Sequence, residues 1–403
     1  MKPELLSPAG DWPSLQTAIA SGADAVYFGI KGLNMRYHAD NFEALEMKKI
    51  MALLHDNNKK GYLALNTIIY NTEIDKIRKI LEQAQKAGVD AVILWDMAVL
   101  SLAKEIGLDI HLSTQASVAN FPAIKYYASL GVKRIVLARE CSLSDIRAII
   151  KKIDQEKLDI QIETFIHGAL CVSLSGRCFL SQHSFLKSAN RGECLQPCRR
   201  EYRITDVDDA RHQYILGQDY ILSPQDLCTI DFIDKLIEAG ISAFKIEGRM
   251  RSPEYIKEVT STYCQAIDAY IKGGLDVKLK KDLRQHLELA YNRGLGQGFF
   301  LESAEDLGSR IGASAYEKIF LGQVVNFYKK VNVAALKIKN AQIKKGDRIL
   351  VYGKNTPAQI FKVDDIQIDN KSVEQAEKGE TAGLKLPFKA RRNDKVFLFN
   401  LKE

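Results

Sequence analysis

Gly88-Val-Asp-Ala-Val-Ile-Leu-Trp95 joins a glycine to an apolar strand, and the chain repeats this pattern in degenerate form. Further copies begin at Gly22, Gly131 and Gly240. In each copy the glycine follows an amphipathic helical stretch, as residues that end helices often do. The strand after it is apolar with little alternation, which indicates a parallel sheet that is buried on both faces.

Other apolar segments bring the number of predicted strands to eight. They lie near residues 5, 26, 64, 92, 112, 136, 163 and 244, and helical segments separate the first seven. Eight parallel strands in roughly 250 residues are typical of a (β/α)8 barrel. The sequence therefore predicts an α/β fold with a TIM-like barrel. An open, doubly wound sheet is the alternative, because strand spacing alone does not exclude it.

Two parts of the chain depart from this alternation. The seventh and eighth strands are much farther apart than the others, which predicts a Cys-rich insertion at about residues 168–235 with a hairpin around Tyr202–Leu222. From about Glu317 the apolar period changes to two, and turn signals such as Lys345-Gly-Asp347 separate the segments. This pattern predicts a small all-β barrel. We therefore expect two domains, residues 1–312 and 316–403.

Composition places the chain among ordinary globular proteins. Hydrophobic residues make up 46% and charged residues 27% of its 403 residues, and the net charge of +7 permits a polyanionic partner without requiring one. No apolar run approaches the roughly 18 residues of a membrane span, and the N-terminus does not resemble a signal peptide. We therefore expect a cytoplasmic protein with no membrane partner. Thiols stay reduced there, so clustered cysteines indicate metal binding or catalysis rather than disulfides.

Polar side chains follow nearly every predicted strand, at the end of a barrel where active sites lie. A polar pocket is therefore expected, with a structural salt bridge as the alternative for each single residue. Forked guanidinium groups bind carboxylates in a bidentate manner, which favours an anionic small molecule as ligand. The candidate substrate-binding residues are Arg36, Asn66, Gln115, Arg139 and Arg249, and the candidate catalytic residues are Glu163, His167, Lys245 and Glu247.

Five of the seven cysteines lie within the predicted insertion. Four thiolates can bind either zinc or a four-iron cluster, and the absence of paired CxxC spacings favours the cluster. The spacing predicts Cys171, Cys178, Cys194 and Cys228 as ligands, with Cys198 as the alternative. A Cys/His nucleophile stays open as well, since His167 is four residues from Cys171 and His183 is five from Cys178.

One long stretch of the insertion carries a family resemblance. Glu163-Thr-Phe-Ile-His-Gly-Ala-Leu-Cys171, followed by Ser175-Gly-Arg-Cys178-Phe-Leu-Ser181, closely resembles the signature of the collagenase-like peptidase family U32. The similarity continues in Asn190-Arg-Gly-Glu-Cys194, Ser223-Pro-Gln-Asp-Leu-Cys228 and Lys245-Ile-Glu-Gly-Arg-Met-Arg-Ser252. It covers residues 1 to about 300, and the terminal β-barrel is similar to an extension of longer members that resembles the second domain of translational GTPases.

The resemblance implies several functions. Family members were first described as proteases, whereas better understood relatives are RNA and quinone hydroxylation factors, among them a prephenate-dependent tRNA wobble-uridine hydroxylase. The quinone factors are four-iron cluster proteins, and matching their motifs puts the ligands on Cys171, Cys178, Cys194 and Cys228 of this chain. The presence of Cys198 beside Cys194, together with the β-barrel, is similar to the tRNA branch.

We therefore expect a tRNA hydroxylase that forms 5-hydroxyuridine at the wobble position. The expected cofactor is a 4Fe-4S cluster, with zinc as the alternative, and prephenate is the expected co-substrate. The alternatives are a U32-type peptidase that acts through a residue such as Cys171 and a non-catalytic iron–sulfur partner subunit of a hydroxylase. Other RNA or quinone hydroxylation is a further alternative, and a homologous partner chain is compatible with each hydroxylase reading.

Overall fold

Strands and helices alternate through the first part of the chain in the computed structural model, which describes residues 2–216, 223–301 and 312–402. Each of the first seven strands runs parallel to the next. The strands are β1 (Glu4–Ala9), β2 (Ala25–Gly29), β3 (Lys60–Ala64), β4 (Ala91–Leu94), β5 (Ile110–Leu112), β6 (Val132–Val136) and β7 (Gln161–Ala169). The helices between them are α1 (Trp12–Ala20), α2 (Met47–Asp56), α3 (Ile74–Ala87), α4 (Met97–Ile106), α5 (Phe121–Ser129) and α6 (Leu143–Glu156).

The predicted insertion follows β7. It contains helix α7 (Leu180–Phe185), the antiparallel pair β8 (Tyr202–Thr205) and β9 (Gln213–Leu216), and strand β10 (Asp226–Cys228), which pairs antiparallel with β7. The predicted hairpin at Tyr202–Leu222 is thus found in β8 and β9, and residues 217–222 lie outside the described ranges. The chain continues through α8 (Ile233–Glu238), β11 (Ala243–Ile246), α9 (Pro253–Ile271), α10 (Val277–Leu289) and β12 (Leu295–Gly296).

Strand β11 closes the barrel. It pairs in parallel with β1, where Leu5 lies opposite Phe244, and also with β7, where Glu163 lies opposite Ala243. Because one strand joins both ends of the sheet, the eight strands predicted from the sequence form a closed barrel. The open, doubly wound alternative is wrong.

The burial of the strands explains this architecture. All residues of β2 and β4 are buried, as expected for strands that have helices on one side and the barrel interior on the other. A large core lies between strands and helices, and a smaller interior cluster contains Leu6, Tyr27 and Tyr62. Gly88 ends α3 at φ +77°, a left-handed conformation that turns the chain directly into β4.

The C-terminal part is entirely β-structure in the described residues, as predicted. Eight strands form one antiparallel sheet, and two short strands, β15 and β20, form a separate pair around the same core. The strands are β13 (Tyr316–Tyr328), β14 (Val333–Ile338), β15 (Ile343–Lys344), β16 (Arg348–Gly353), β17 (Thr356–Lys362), β18 (Ile366–Ile368), β19 (Lys371–Val373), β20 (Gln375–Ala376), β21 (Thr381–Lys385) and β22 (Lys395–Leu401).

This β-region packs against the first helix of the barrel. The backbone N–H of Ala358 donates to Thr17 Oγ1 at 2.9 Å in a buried contact, and Lys318 Nζ lies 2.7 Å from Glu254 Oε1. A groove lined by Asp11, Arg251 and Lys354 separates the two parts beside the barrel mouth. None of the helices in the described ranges has the length and the apolar character that a membrane crossing needs.

Candidate functional site

A pocket opens at the C-terminal ends of the barrel strands, where the sequence predicted one. It encloses about 940 Å³ including its open mouth. The barrel contributes all five predicted substrate-binding residues and two of the predicted catalytic ones, and the insertion contributes four thiols. These lining residues are Arg36, Asn66, Gln115, Arg139, Arg249, Lys245, Glu247, Cys171, Cys178, Cys194 and Cys198.

Glu247 is the carboxylate at the centre of the cationic side of the pocket. Arg36 contacts it in a bidentate manner, with Nη2–Oε2 at 2.9 Å and Nε–Oε1 at 3.2 Å, and Arg139 Nη2 lies 3.9 Å from Oε2. Burial alone would raise the pKa of Glu247, but the nearby guanidinium and ammonium groups outweigh it and hold the pKa below its usual value. Glu247 is therefore an ionised partner for cations rather than a proton donor at neutral pH.

The remaining arginines have unused hydrogen-bonding capacity. Arg249 donates from Nη1 to Asn34 Oδ1 at 3.0 Å, and its buried Nε has no partner among the described residues. Arg139 likewise leaves its buried Nε without a partner, while its guanidinium lies 4.4 Å from the ring centre of Phe165. Burial lowers the pKa of Arg249 to about 10, which still leaves it charged. Since buried donors without acceptors are costly, these two arginines favour an anionic ligand.

Amide and hydroxyl groups form the opposite wall. Asn66 accepts from the backbone N–H of Met35 at 3.2 Å, and its side-chain nitrogen lies 3.5 Å from Gln115 Oε1. Ser113 Oγ also donates to Gln115 Oε1. The wall is thus ordered by its own hydrogen bonds before any ligand arrives.

Glu163 lies beneath the pocket rather than in its lining. It is fully buried between Lys245 Nζ at 2.9 Å and Arg134 Nη1 at 3.3 Å, and the same Arg134 nitrogen lies 2.6 Å from Glu4. Lys245 reaches the pocket floor, with its Nζ 4.5 Å from the ring centre of Tyr27, and burial lowers its pKa despite the nearby Glu163. The side chain of Glu163, predicted as catalytic, therefore reaches the pocket lining through Lys245.

His167, also predicted as catalytic, lies outside the pocket. Its Nδ1 is 3.4 Å from the hydroxyl of Tyr263, and it is almost fully buried. Burial lowers its pKa to about 3, so the ring is neutral. The pairing of β7 with β11 shifts register where Phe165 faces Lys245 and His167 faces Ile246. This irregularity aims His167 at the outer core, since bulged residues redirect the side chains that follow them.

The insertion brings four thiols to the pocket. Cys178 Sγ accepts from the backbone N–H of Leu180 at 3.3 Å, and Cys194 Sγ accepts from that of Gln196 at 3.4 Å. Burial raises the pKa of Cys194 and of Cys198. A metal must therefore displace their protons on binding.

Cys228 is separated from these thiols. It lies on β10 opposite His167, is almost fully buried, and accepts from the hydroxyl of Tyr263 at 3.7 Å. The spacing and the resemblance placed Cys228 in the ligand set, whereas the structure brings the alternative, Cys198, to the other three. Cys228 thus stays a predicted ligand with no place in the pocket lining.

The four pocket thiols fit a soft metal or cluster in kind and number. They are half-buried and bear no disulfide. Within the described ranges, no three His, Cys, Asp or Glu side chains already converge closely enough to hold a metal ion. Binding would therefore require the thiols to lie closer together than they do here.

The insertion is fixed to the barrel by contacts on both sides of these thiols. The backbone N–H of Ser175 donates to Glu140 Oε1 at 3.1 Å, and Arg191 pairs with Glu73 at 2.6 Å and 2.9 Å. Gly192, at φ +88°, packs so closely on the loop after β2 that an added Cβ would lie 2.1 Å from the carbonyl oxygen of Asn34. These contacts hold Cys178 and Cys194 over the barrel mouth.

Sequence reasoning missed the aromatic part of the site. Tyr27 and Phe165 line the pocket beside Lys245, and the Tyr27 hydroxyl donates to the carbonyl of Ile246 at 2.8 Å. In the sequence, their position in the pocket was indicated by their alternation with outward-facing residues on β2 and β7. In two nearly continuous apolar runs that signal is weak.

Comparison with known proteins identifies a set of relatives. The model of peptidase family U32 matches residues 10–310. An uncharacterized protease of Methanocaldococcus jannaschii is 44% identical over 98% of both chains, and a collagenase of Porphyromonas gingivalis is 39% identical over 99% of this chain and 98% of its own. The tRNA hydroxylation protein P1 of Bacillus subtilis is 35% identical over 87% of this chain and 84% of its own.

Proposed function

Because this chain belongs to peptidase family U32, we propose that it is a tRNA hydroxylase that converts the wobble uridine to 5-hydroxyuridine. The family includes a relative named for tRNA hydroxylation that aligns with most of this chain. The cationic pocket beside four thiols is the observation that carries the proposal. A tRNA substrate and reduced thiols also fit a cytoplasmic protein.

The charge of the pocket fits an anionic oxygen donor. Four cationic side chains, those of Arg36, Arg139, Lys245 and Arg249, line it against one carboxylate, Glu247. The guanidinium groups of Arg139 and Arg249 line the pocket and can donate to carboxylate oxygens, and Lys245 places a further positive charge at the floor. Prephenate, which carries two carboxylates, is the donor that we propose. Arg36 would then exchange part of its contact with Glu247 for the ligand.

We place a 4Fe-4S cluster on Cys171, Cys178, Cys194 and Cys198. The N–H···S bonds at Cys178 and Cys194 would stabilise the thiolates that hold it. When bound, the cluster would supply electron-transfer or oxygen-transfer chemistry at the edge of the donor pocket. The protein side chains would orient the donor.

The peptidase alternative rests on the relative named collagenase, which aligns with almost the whole chain. A cysteine peptidase needs a base within hydrogen-bonding reach of its nucleophile. No histidine belongs to the described pocket lining, and Glu247 is engaged by arginines. The pocket therefore favours hydroxylation over peptide cleavage.

Nucleoside mass spectrometry of tRNA tests the proposal. A strain that lacks this chain and its paralogues should lose 5-hydroxyuridine and its derivatives, and the wild-type gene should restore them. Unchanged 5-hydroxyuridine in the deletion strain would contradict the proposal. Restoration only when a homologous chain is added with it would identify this chain as one half of the enzyme.

A further inference from the structure

Large apolar side chains are unusually exposed around the mouth of the pocket. We define the mouth rim as Tyr37, Tyr70, Phe179 and Leu180, all of which are exposed. Phe179 is the clearest case, because 76% of it is accessible to solvent. Several exposed large apolar side chains gathered at one opening indicate a binding surface.

Contacts with the insertion place these residues around one opening. The backbone N–H of Tyr37 donates to the carbonyl of Gly192 at 3.2 Å, and the guanidinium of Arg191 lies 5.0 Å from the ring centre of Tyr70. Phe179 stands between Cys178 and Leu180, both of which line the pocket. A partner seated on the mouth rim therefore reaches the pocket directly.

The charge around the rim distinguishes between possible partners. Residues 170–205 contain six Lys or Arg and two Glu. Lys187 and Arg191 pair with glutamates, whereas Arg177, Arg200 and Arg203 make no ion pair with a described residue. Arg200 instead lies 4.7 Å from the ring centre of Phe185. Aromatic rings set among cationic side chains are the arrangement by which single-stranded nucleic acid is bound.

We propose that the mouth rim binds the unpaired bases of an RNA loop by stacking, with the neighbouring arginines on its phosphates; this inference rests on the proposed tRNA substrate. Rings stack on bases of any sequence, so the rim selects a loop over a duplex rather than one sequence over another. A loop base is already unpaired, and extending it from the rim into the pocket therefore costs little.

Fluorescence anisotropy with a labelled anticodon stem-loop RNA tests the inference. Phe179→Ala and Tyr70→Ala should each weaken binding by roughly 5- to 150-fold, the range expected for the loss of one stacked base. Phe179→Trp should retain binding, because it keeps an aromatic ring at this position. The position is exposed, so the change should not disturb the fold. Tyr126→Ala is the matched control, since Tyr126 on α5 is 60% exposed and does not line the pocket, and it should bind like the wild type.

Three results would overturn the inference. The first is that both rim variants bind the RNA as tightly as the wild type does. The second is that the protein binds a full duplex as tightly as the stem-loop. The third is that the wild type is a dimer that Phe179→Ala dissociates without affecting RNA binding. The last result would assign the rim to a second copy of the chain. Failure of the hydroxylase proposal is separate, because it is measured by 5-hydroxyuridine in tRNA, whereas the rim is tested by binding alone.

Discussion

Replacing Glu163 with leucine should destabilise the barrel strongly. The change keeps the side-chain volume similar but removes the carboxylate that Lys245 contacts at 2.9 Å in a fully buried setting. Arg134 keeps Glu4 at 2.6 Å, so the loss falls mainly on Lys245, whose ammonium would be left without a counterion. Breaking one partner of a buried ion pair costs about 3–5 kcal/mol.

Differential scanning calorimetry would measure this cost. A loss of that size corresponds to a Tm lower by roughly 5–8 °C, because a domain of about 300 residues has an unfolding entropy of about 0.6 kcal/mol/K. The double variant Glu163→Leu with Lys245→Met should recover most of the loss, because an apolar pair can replace a buried ion pair at little cost. Circular dichroism at low temperature would confirm that each variant retains its helices and strands.

A Glu163→Leu variant that loses less than about 1 kcal/mol would refute this reasoning, since buried charges without partners are expected to cost more. So would a double variant that is no more stable than the single one. Either result would mean that Glu163 and Lys245 do not depend on each other. Glu163 would then be a candidate for catalysis apart from its contact with Lys245.

Three further predictions follow from particular contacts. The pKa of His167 is about 3 in the folded protein and near 6.5 in the unfolded chain, so the unfolded chain takes up a proton at a higher pH. As the pH falls below about 6.5, the free energy of unfolding should therefore decrease by up to about 1.4 kcal/mol per pH unit. His167→Phe should reduce this pH dependence, as measured by urea unfolding. Gly192→Ala should lower both the thermal stability and the iron content, because the added Cβ would collide with the carbonyl oxygen of Asn34. Gly273→Ala is the control, since a Cβ added there meets nothing within 4 Å. It should change stability less and leave the iron content unchanged. Cys198→Ala should abolish iron binding after anaerobic reconstitution while Cys228→Ala retains it, and the opposite pattern would favour Cys228, the ligand predicted from the sequence, over Cys198.

The barrel was predictable because its signals are local. Glycines such as Gly88 end helices through their own conformational freedom, and the apolar strand that follows is recognisable in a short window. The substrate-binding candidates were predictable for a related reason. Residues such as Arg139 and Arg249 directly follow strands whose ends converge in any barrel, so their meeting in one pocket needs no knowledge of packing.

The sequence could not show where His167 and Cys228 lie, because the direction of a side chain there depends on distant pairing. Glu163, Phe165 and His167 alternate in sequence, and only the register shift against β11 sends His167 to the outer core. The spacing favoured Cys228 over Cys198 as a ligand. Its pairing opposite His167 on β7 nevertheless buries it against Tyr263. The position of the insertion over the barrel mouth could not be predicted from the sequence either, because it depends on contacts such as the ion pair of Arg191 with Glu73.

The most direct test of the proposed tRNA hydroxylation uses a deletion strain that carries the double variant Arg139→Ala, Arg249→Ala. The measurement is the content of 5-hydroxyuridine in its tRNA. These two arginines hold the unused donors of the pocket, so their loss should abolish the modified nucleoside while the wild-type gene and Tyr126→Ala restore it. Immunoblotting would confirm equal protein levels. Full restoration by the double arginine variant would contradict the assignment of this pocket to the hydroxylation of tRNA.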